Sequence, residues 1–334
     1  MSDQSVKSSA QASSGKFTFS QRFALFPITS FAIILGLGAL AIIFDKWHHL
    51  QWIPELPYTI TMVLVTFLFF LFLSLYGYKA IVAPEEVRRD FRHPVRLNFF
   101  PAIPISVLIL SLIYMGRFPI ASLSFWYVGT IGEMIFAFVI IDRWFSKEID
   151  IKHYNPAWFI PVVGIVLIPV AGVSYVPNVL MMFFWAPAIL LWMVLLTIIF
   201  YRIIFHTPLP SKLAPTFFML VAPPAVGFIA YVRIERQIDH VALSMLTIAV
   251  FFMLVLLFMN KSFRKIPFFL SWWAFTFPLS AFTIAWTVAY LVTRQLVFAV
   301  PAWAFGGITI VVDVIVIWNT IKNIRRGNIC VEED

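Results

Sequence analysis

The sequence has almost no cysteine, little charge and no long polar run between its apolar segments, and each shortage removes a class of protein. A single cysteine, Cys330, in 334 residues excludes a disulfide framework and a thiolate metal cage. Charged residues are only 12% of the chain and hydrophobic ones 61%, an apolar load that no water-soluble core encloses. All six histidines (His48, His49, His93, His153, His206, His240) fall in linkers or at the ends of apolar runs, which argues against haem held between spans. No phosphate-cradling glycine loop, zinc-protease helix or serine elbow occurs, so the sequence points to no catalytic motif, metal or cofactor.

What remains is membrane-length apolar sequence. A bilayer crossing takes about 20 such residues. Cutting the chain at its charged and turn-rich stretches gives ten segments, near 23–44, 56–80, 95–115, 121–143, 156–175, 179–205, 213–234, 240–260, 266–293 and 300–322. The serine-rich stretch 1–22 reads as a disordered cytoplasmic tail, 23–322 as one ten-helix membrane domain, and 323–334 as a second tail. The linkers are too short for another domain.

The net charge of +8 sorts by side. The two tails and the linkers after helices 2, 4, 6 and 8 hold 19 of the 24 lysines and arginines; the remaining five are Lys46, Arg117, Arg233, Arg236 and Arg294. The positive-inside rule then puts both termini in the cytoplasm of a multi-pass protein of the cell's inner (plasma) membrane. Topology accounts for the charge, and no nucleic acid is implied.

Prolines mark the odd-numbered helices. "RHPVRLNFFPAIP" from Arg92, "KHYNPAWFIP" from Lys152, "KLAPTFFMLVAPP" from Lys212 and "RKIPFFLSWWAFTFP" from Arg264 each run basic residue, proline, aromatics, deeper proline. Their first prolines, Pro94, Pro156, Pro215 and Pro267, are spaced by 62, 59 and 52 residues, as expected of a repeating helical hairpin. Helix 1 is the irregular copy, with Arg22 before it and Pro27 alone. The deeper prolines (Pro101 and Pro104, Pro161 and Pro169, Pro223 and Pro224, Pro278) read as kinks, each with a local cost of roughly 3 kcal/mol. Even helices nearly lack them, Pro187 being the exception, with Pro57 and Pro301 at helix starts.

This parity predicts an inner ring of five kinked helices around a conduit and an outer ring facing lipid. Ordinary kinked packing is the plainer alternative. The inner helices would turn their positive N-terminal ends to the cytoplasm. His93, Arg96, Lys152, Lys212 and Arg264 (with Lys265) beside those ends would form an anion-attracting vestibule, His93 in "HPVR" alternatively capping helix 3. Positive-inside placement explains the same cations without a conduit.

Several stretches match one known family in order and spacing: "LGLGAL" at Leu35–Leu40, "YGYK" at Tyr76–Lys79, "HPVR" at His93–Arg96, "GTIGEM" in helix 4, "NPAWFIP" in helix 5, "APP" in helix 7 and "WAFTFP" in helix 9. From about residue 29 to 322 the chain resembles the bacterial tellurite-resistance and four-carbon-dicarboxylate transporter family (TehA-like), related to the slow anion channels of plant guard cells. The resemblance implies an all-α integral membrane fold, ten transmembrane helices as five hairpins in quasi-fivefold arrangement around a central pore, assembled as a homotrimer with one pore per subunit. It also implies a phenylalanine gate, which maps onto Phe277 with Pro278 behind it. Some bacterial relatives carry glycine after the gate, whereas this chain has proline as the plant channels do.

Two acids interrupt apolar runs, Glu133 in "GTIGEMIF" and Asp313 in "TIVVDVIV". A proton-coupled carrier could load its proton on Glu133. Both acids lie on even helices, away from the proposed conduit, and are expected to be structural, protonated or hydrogen-bonded between helices. The expected function is a passive channel for small monovalent inorganic anions, chloride- or nitrate-like, in a lipid bilayer, kinked at Pro27, Pro104, Pro161 and Pro223. The alternative is a proton-coupled carrier or exporter of dicarboxylate, tellurite or sulfite.

Overall fold

A computed structural model describes residues 25–327. The predicted tail 1–22 with Arg22, and Cys330 with most of 323–334, lie outside the described residues. Among those described the chain is helical, with no strand. Ten long helices follow in order: α1 (Phe31–His49), α2 (Leu56–Val82), α3 (Ala102–Tyr114), α4 (Pro119–Ser146), α5 (Ile160–Gly172), α6 (Asn178–Phe205), α7 (Ala222–Glu235), α8 (His240–Phe258), α9 (Thr276–Thr293) and α10 (Leu296–Arg325). Among the described residues nine spans are long and apolar enough to cross a bilayer; the tenth, Pro156–Gly172, is shorter but wholly apolar.

Burial follows parity. In the most apolar stretches of spans 1, 3, 7 and 9, 72–83% of residues are buried, against 22–33% in spans 2, 4, 6, 8 and 10. Every residue of α5 is buried. The odd helices therefore form the interior, and the even helices turn side chains such as Phe67, Ile120, Phe183, Phe258 and Trp318 outward, as lipid contact favours. Each odd helix packs on the next: α1 on α3, α3 on α5, α5 on α7, α7 on α9, and α9 back on α1. The ring closes, and each even helix lies against its own hairpin partner.

The prolines work differently from expectation. Each odd span begins as a 3-10 segment (Ile28–Ser30, Arg96–Phe99, Pro156–Phe159, Ser211–Leu220, Leu270–Ala274) and continues as α-helix. Pro104, Pro161, Pro223 and Pro278 occupy the second or third position of the α-helical part, and Pro27 sits just before its 3-10 turn. A first-turn N–H has no intrahelical partner, so proline there forfeits nothing. The mid-helix cost assigned to these residues thus falls away, and the break in each inner span is a boundary between two helix types. Pro169 does lie inside α5, and Pro301, expected at a helix start, lies inside α10 because that helix already begins at Leu296.

Glycines set the closest approaches in the ring. A Cβ on Gly36 would collide with the Thr276 side chain of α9, and one on Gly38 with Ile109 of α3. The "LGLGAL" stretch therefore seats α1 between both its neighbours. At the end bearing the N-termini of the odd helices, a short helix, Pro84–Arg92, buries Asp90. Its carboxylate accepts from Lys79 Nζ at 2.7 Å and Arg96 Nη1 at 3.1 Å, while Lys79 also donates to the carbonyl of Phe26 at 3.0 Å. This charge cluster fastens α2, the short helix and the starts of spans 1 and 3 together.

Candidate functional site

Among the described residues, two cavities lie within the inner ring. The larger, about 290 Å³, is walled by residues further along the odd helices: Ala39 and Ile42 of α1, Ile109 and Leu112 of α3, Leu167 and Val170 of α5, Val226 and Ile229 of α7, Ala281 and Ile284 of α9. The smaller, about 30 Å³, is walled by the starts of the same spans, 3-10 segments included: Ala32 and Leu35, Ile105, Phe159 and Val163, Met219 and Ala222, Trp273 and Ala274. The same five helices line both in the same order along their length, so they run parallel. The smaller cavity has no polar wall and holds roughly one or two waters at most.

Phe277 lines both cavities, and Pro278 lines only the smaller. Phe277 is half-buried, while its neighbours Thr276 and Pro278 are fully enclosed. Thr276 Oγ1 donates to the carbonyl of Trp273 at 2.8 Å, and Trp273 Nε1 donates to Thr320 Oγ1 of α10 at 3.0 Å, which anchors the start of α9. Phe275 is locked in a ring cluster with Phe218 (4.8 Å) and Phe263 (6.0 Å). Among the described residues Phe277 makes no such ring contact, so its side chain stands in the axis without an aromatic partner.

The five predicted vestibule residues divide. His93 Nδ1 accepts the backbone N–H groups of Val95 (3.1 Å) and Arg96 (3.2 Å), the capping role considered for it. Burial, then the Arg96 charge, hold its pKa below the ordinary histidine value; His153 and Lys212 act in the same direction and Asp90 opposes them. His93, Arg96, His153 and Lys212 are therefore electrostatic neighbours. Arg96 is tied to Asp90. Lys152 forms an exposed ion pair with Asp150 at 2.8 Å, and Arg264 is exposed, its Nε donating to Asn260 at 3.3 Å. None of the five lines either axial cavity.

Two cations that composition alone had left as linker charges do line the larger cavity: Lys46 and Arg233. A signal for them exists. Ala39, Ile42 and Lys46 stand at i, i+3, i+7, and so do Val226, Ile229 and Arg233, extending the apolar wall by one helical turn. Glu133 and Asp313 are absent from both cavities and buried, with no hydrogen-bond partner among the described residues. The Glu133 carboxyl lies against Gly164 of α5, where a Cβ would strike it.

The sequence pattern along this ten-helix ring settles the family. The SLAC1 family model, described as voltage-dependent anion channel, matches residues 25–321. The chain belongs to the SLAC1 family. Similar proteins of this family include an uncharacterized transporter of Methanocaldococcus jannaschii, 30% identical over 79% of this chain and 83% of the relative. The S-type anion channel SLAH2 of Arabidopsis thaliana is 32% identical over 79% of this chain, which spans about half (52%) of that protein. A tellurite resistance protein TehA homolog of Haemophilus influenzae is 30% identical over 41% of this chain and 42% of its own length. SLAC1-family membership makes this chain a multi-pass membrane protein of an anion-channel family, a class of channels and transporters rather than enzymes.

Proposed function

We propose that this chain is a passive channel for small monovalent anions, chloride- or nitrate-like, running along the axis of the inner ring and closed by Phe277. One observation carries the reading: Phe277 is shared by two cavities to which all five inner helices contribute. Around Phe277 the walls are apolar, so this stretch offers no tight site, and anions that shed water easily pass best. Pro278 fixes the start of α9 and with it the angle at which Phe277 leaves the wall. Pro27, Pro104, Pro161 and Pro223 fix the same handover from 3-10 to α-helix in the other four spans. The positive N-terminal ends, with His93, Arg96, Lys152, Lys212 and Arg264 around them, draw anions to the cytoplasmic mouth. Both termini are cytoplasmic, in the plasma membrane, and the subunits assemble as a homotrimer through their outer helices.

The second reading is a proton-coupled carrier of dicarboxylate, tellurite or sulfite, favoured by the TehA homolog's name and by partnerless Glu133. The position of Glu133 against α5, outside both cavities, supports the channel instead. Reconstitution into planar bilayers tests the choice. A channel passes anion current at symmetric pH under voltage alone; a flux that saturates and requires a pH difference would establish the carrier.

A further inference from the structure

We propose that Lys46 and Arg233 form a binding site for one small inorganic anion at the C-terminal mouth of the inner ring, beyond Phe277. The proposal rests on the conduit reading above and assigns the site at its far end.

The backbone creates the need for such a site. All five inner helices end together around the larger cavity, and each helix C-terminus carries roughly half a negative charge. That field repels an anion leaving the apolar stretch. Lys46 and Arg233 stand one turn beyond the wall, at the same i+7 offset from Ala39 and Val226, and place two fixed cations there.

Neither cation forms an ion pair, and Asp45, next to Lys46 in the chain, offsets only one of the two charges. No carboxylate lies within ion-pair distance of either among the described residues. Lys46 has no hydrogen-bond partner there, and Arg233 Nη2 donates only to Ser174 Oγ at 3.1 Å and Met115 Sδ at 3.6 Å. The two charges repel one another across the cavity, a strain that a shared anion relieves. Asp45 also lines the cavity, but its carboxylate leans on His49 Nδ1 at 3.4 Å. With Asp45 counted, the mouth carries one net positive charge, which matches a monovalent anion better than a dicarboxylate. The other three basic residues on this side are engaged elsewhere or exposed: Arg117 with Glu55 and over the Tyr58 ring, Arg294 over Tyr290, and Arg236 at the exposed end of α7. A cavity of about 290 Å³ admits the anion with part of its hydration shell.

The test uses the full-length protein in detergent, with iodide as probe. Iodide is expected to raise the melting temperature saturably, Lys46→Met to weaken that binding about tenfold, and Lys46→Arg to restore it. Because Lys46 makes no hydrogen bond, its replacement leaves the fold intact, which the unliganded melting temperature checks. Iodide binding unchanged in Lys46→Met, or malate displacing iodide as the stronger ligand, overturns the site. A second arm adds Lys46→Met to Phe277→Ala in planar bilayers: conductance is expected to fall at low anion concentration on the Lys46 side and to converge at saturation. An equal conductance at every concentration overturns the proposal. A Phe277→Ala protein that carries no current refutes the conduit, while the iodide titration still judges the site.

Discussion

Replacing Phe277 by alanine removes the one ring that the two axial cavities share, and the size of the effect follows from how that ring is held. It has no aromatic partner and is half-buried, so moving it aside in the native protein costs about half the burial of a phenylalanine, roughly 1–1.5 kcal/mol, plus roughly 0.5–1.5 kcal/mol of rotamer strain. A barrier of about 1.5–3 kcal/mol lowers throughput on the order of 10- to 150-fold, so the alanine variant should conduct more by about that factor. Phe277→Leu should fall between. Iodide entry into proteoliposomes, read by quenching of a trapped fluorophore, measures it per mole of reconstituted protein. Truncation leaves a gap that weakens the fold by up to about 3 kcal/mol, so the melting temperature is recorded beside the flux. Flux within twofold of wild type in a folded Phe277→Ala protein would refute the idea that this ring sets the resistance.

Three further outcomes are expected. Lys79→Met or Asp90→Asn breaks a buried ion cluster and should cost about 3–5 kcal/mol, seen as a lower melting temperature in detergent, with Lys79→Met/Asp90→Leu recovering part of the loss. His93 is held neutral by burial and by Arg96, so the unfolded chain takes up its proton first. Its contribution to stability is complete above pH about 6.5 and fades as the pH falls below that; a pH 5–7 melting series should show a slope that His93→Asn reduces, and equal slopes would remove the capping role. Glu133→Gln should leave voltage-driven anion flux and its pH dependence as in wild type; loss of transport with a normal melting temperature would return the carrier to first place.

The ring itself was legible because two independent signals agreed. Hydropathy marked the spans, and proline parity separated inner from outer. The consequence assigned to the prolines was not legible: within an unbroken apolar run nothing polar distinguishes a helix start from a helix middle, so Pro104, Pro161 and Pro223 looked like kinks. Pro301 was misplaced for the converse reason, since α10 already begins at Leu296, before the stretch first taken as its start. Lys46 and Arg233 were hidden by the charge count that fixed the orientation, because summing residues per linker discards the face each one occupies. Asp90 sits in a charged run, "PEEVRRDFR", and only folding brings Lys79 and Arg96 onto it.

Closure of the ring has a consequence for biogenesis. The seal between α1 and α9 joins residues as far apart as Trp47 and Thr287, 240 positions along the chain. A nascent protein lacking its last hairpin is an open crescent whose greasy concave side lipid tails can fill. The inner ring therefore stays open until the last hairpin has been made.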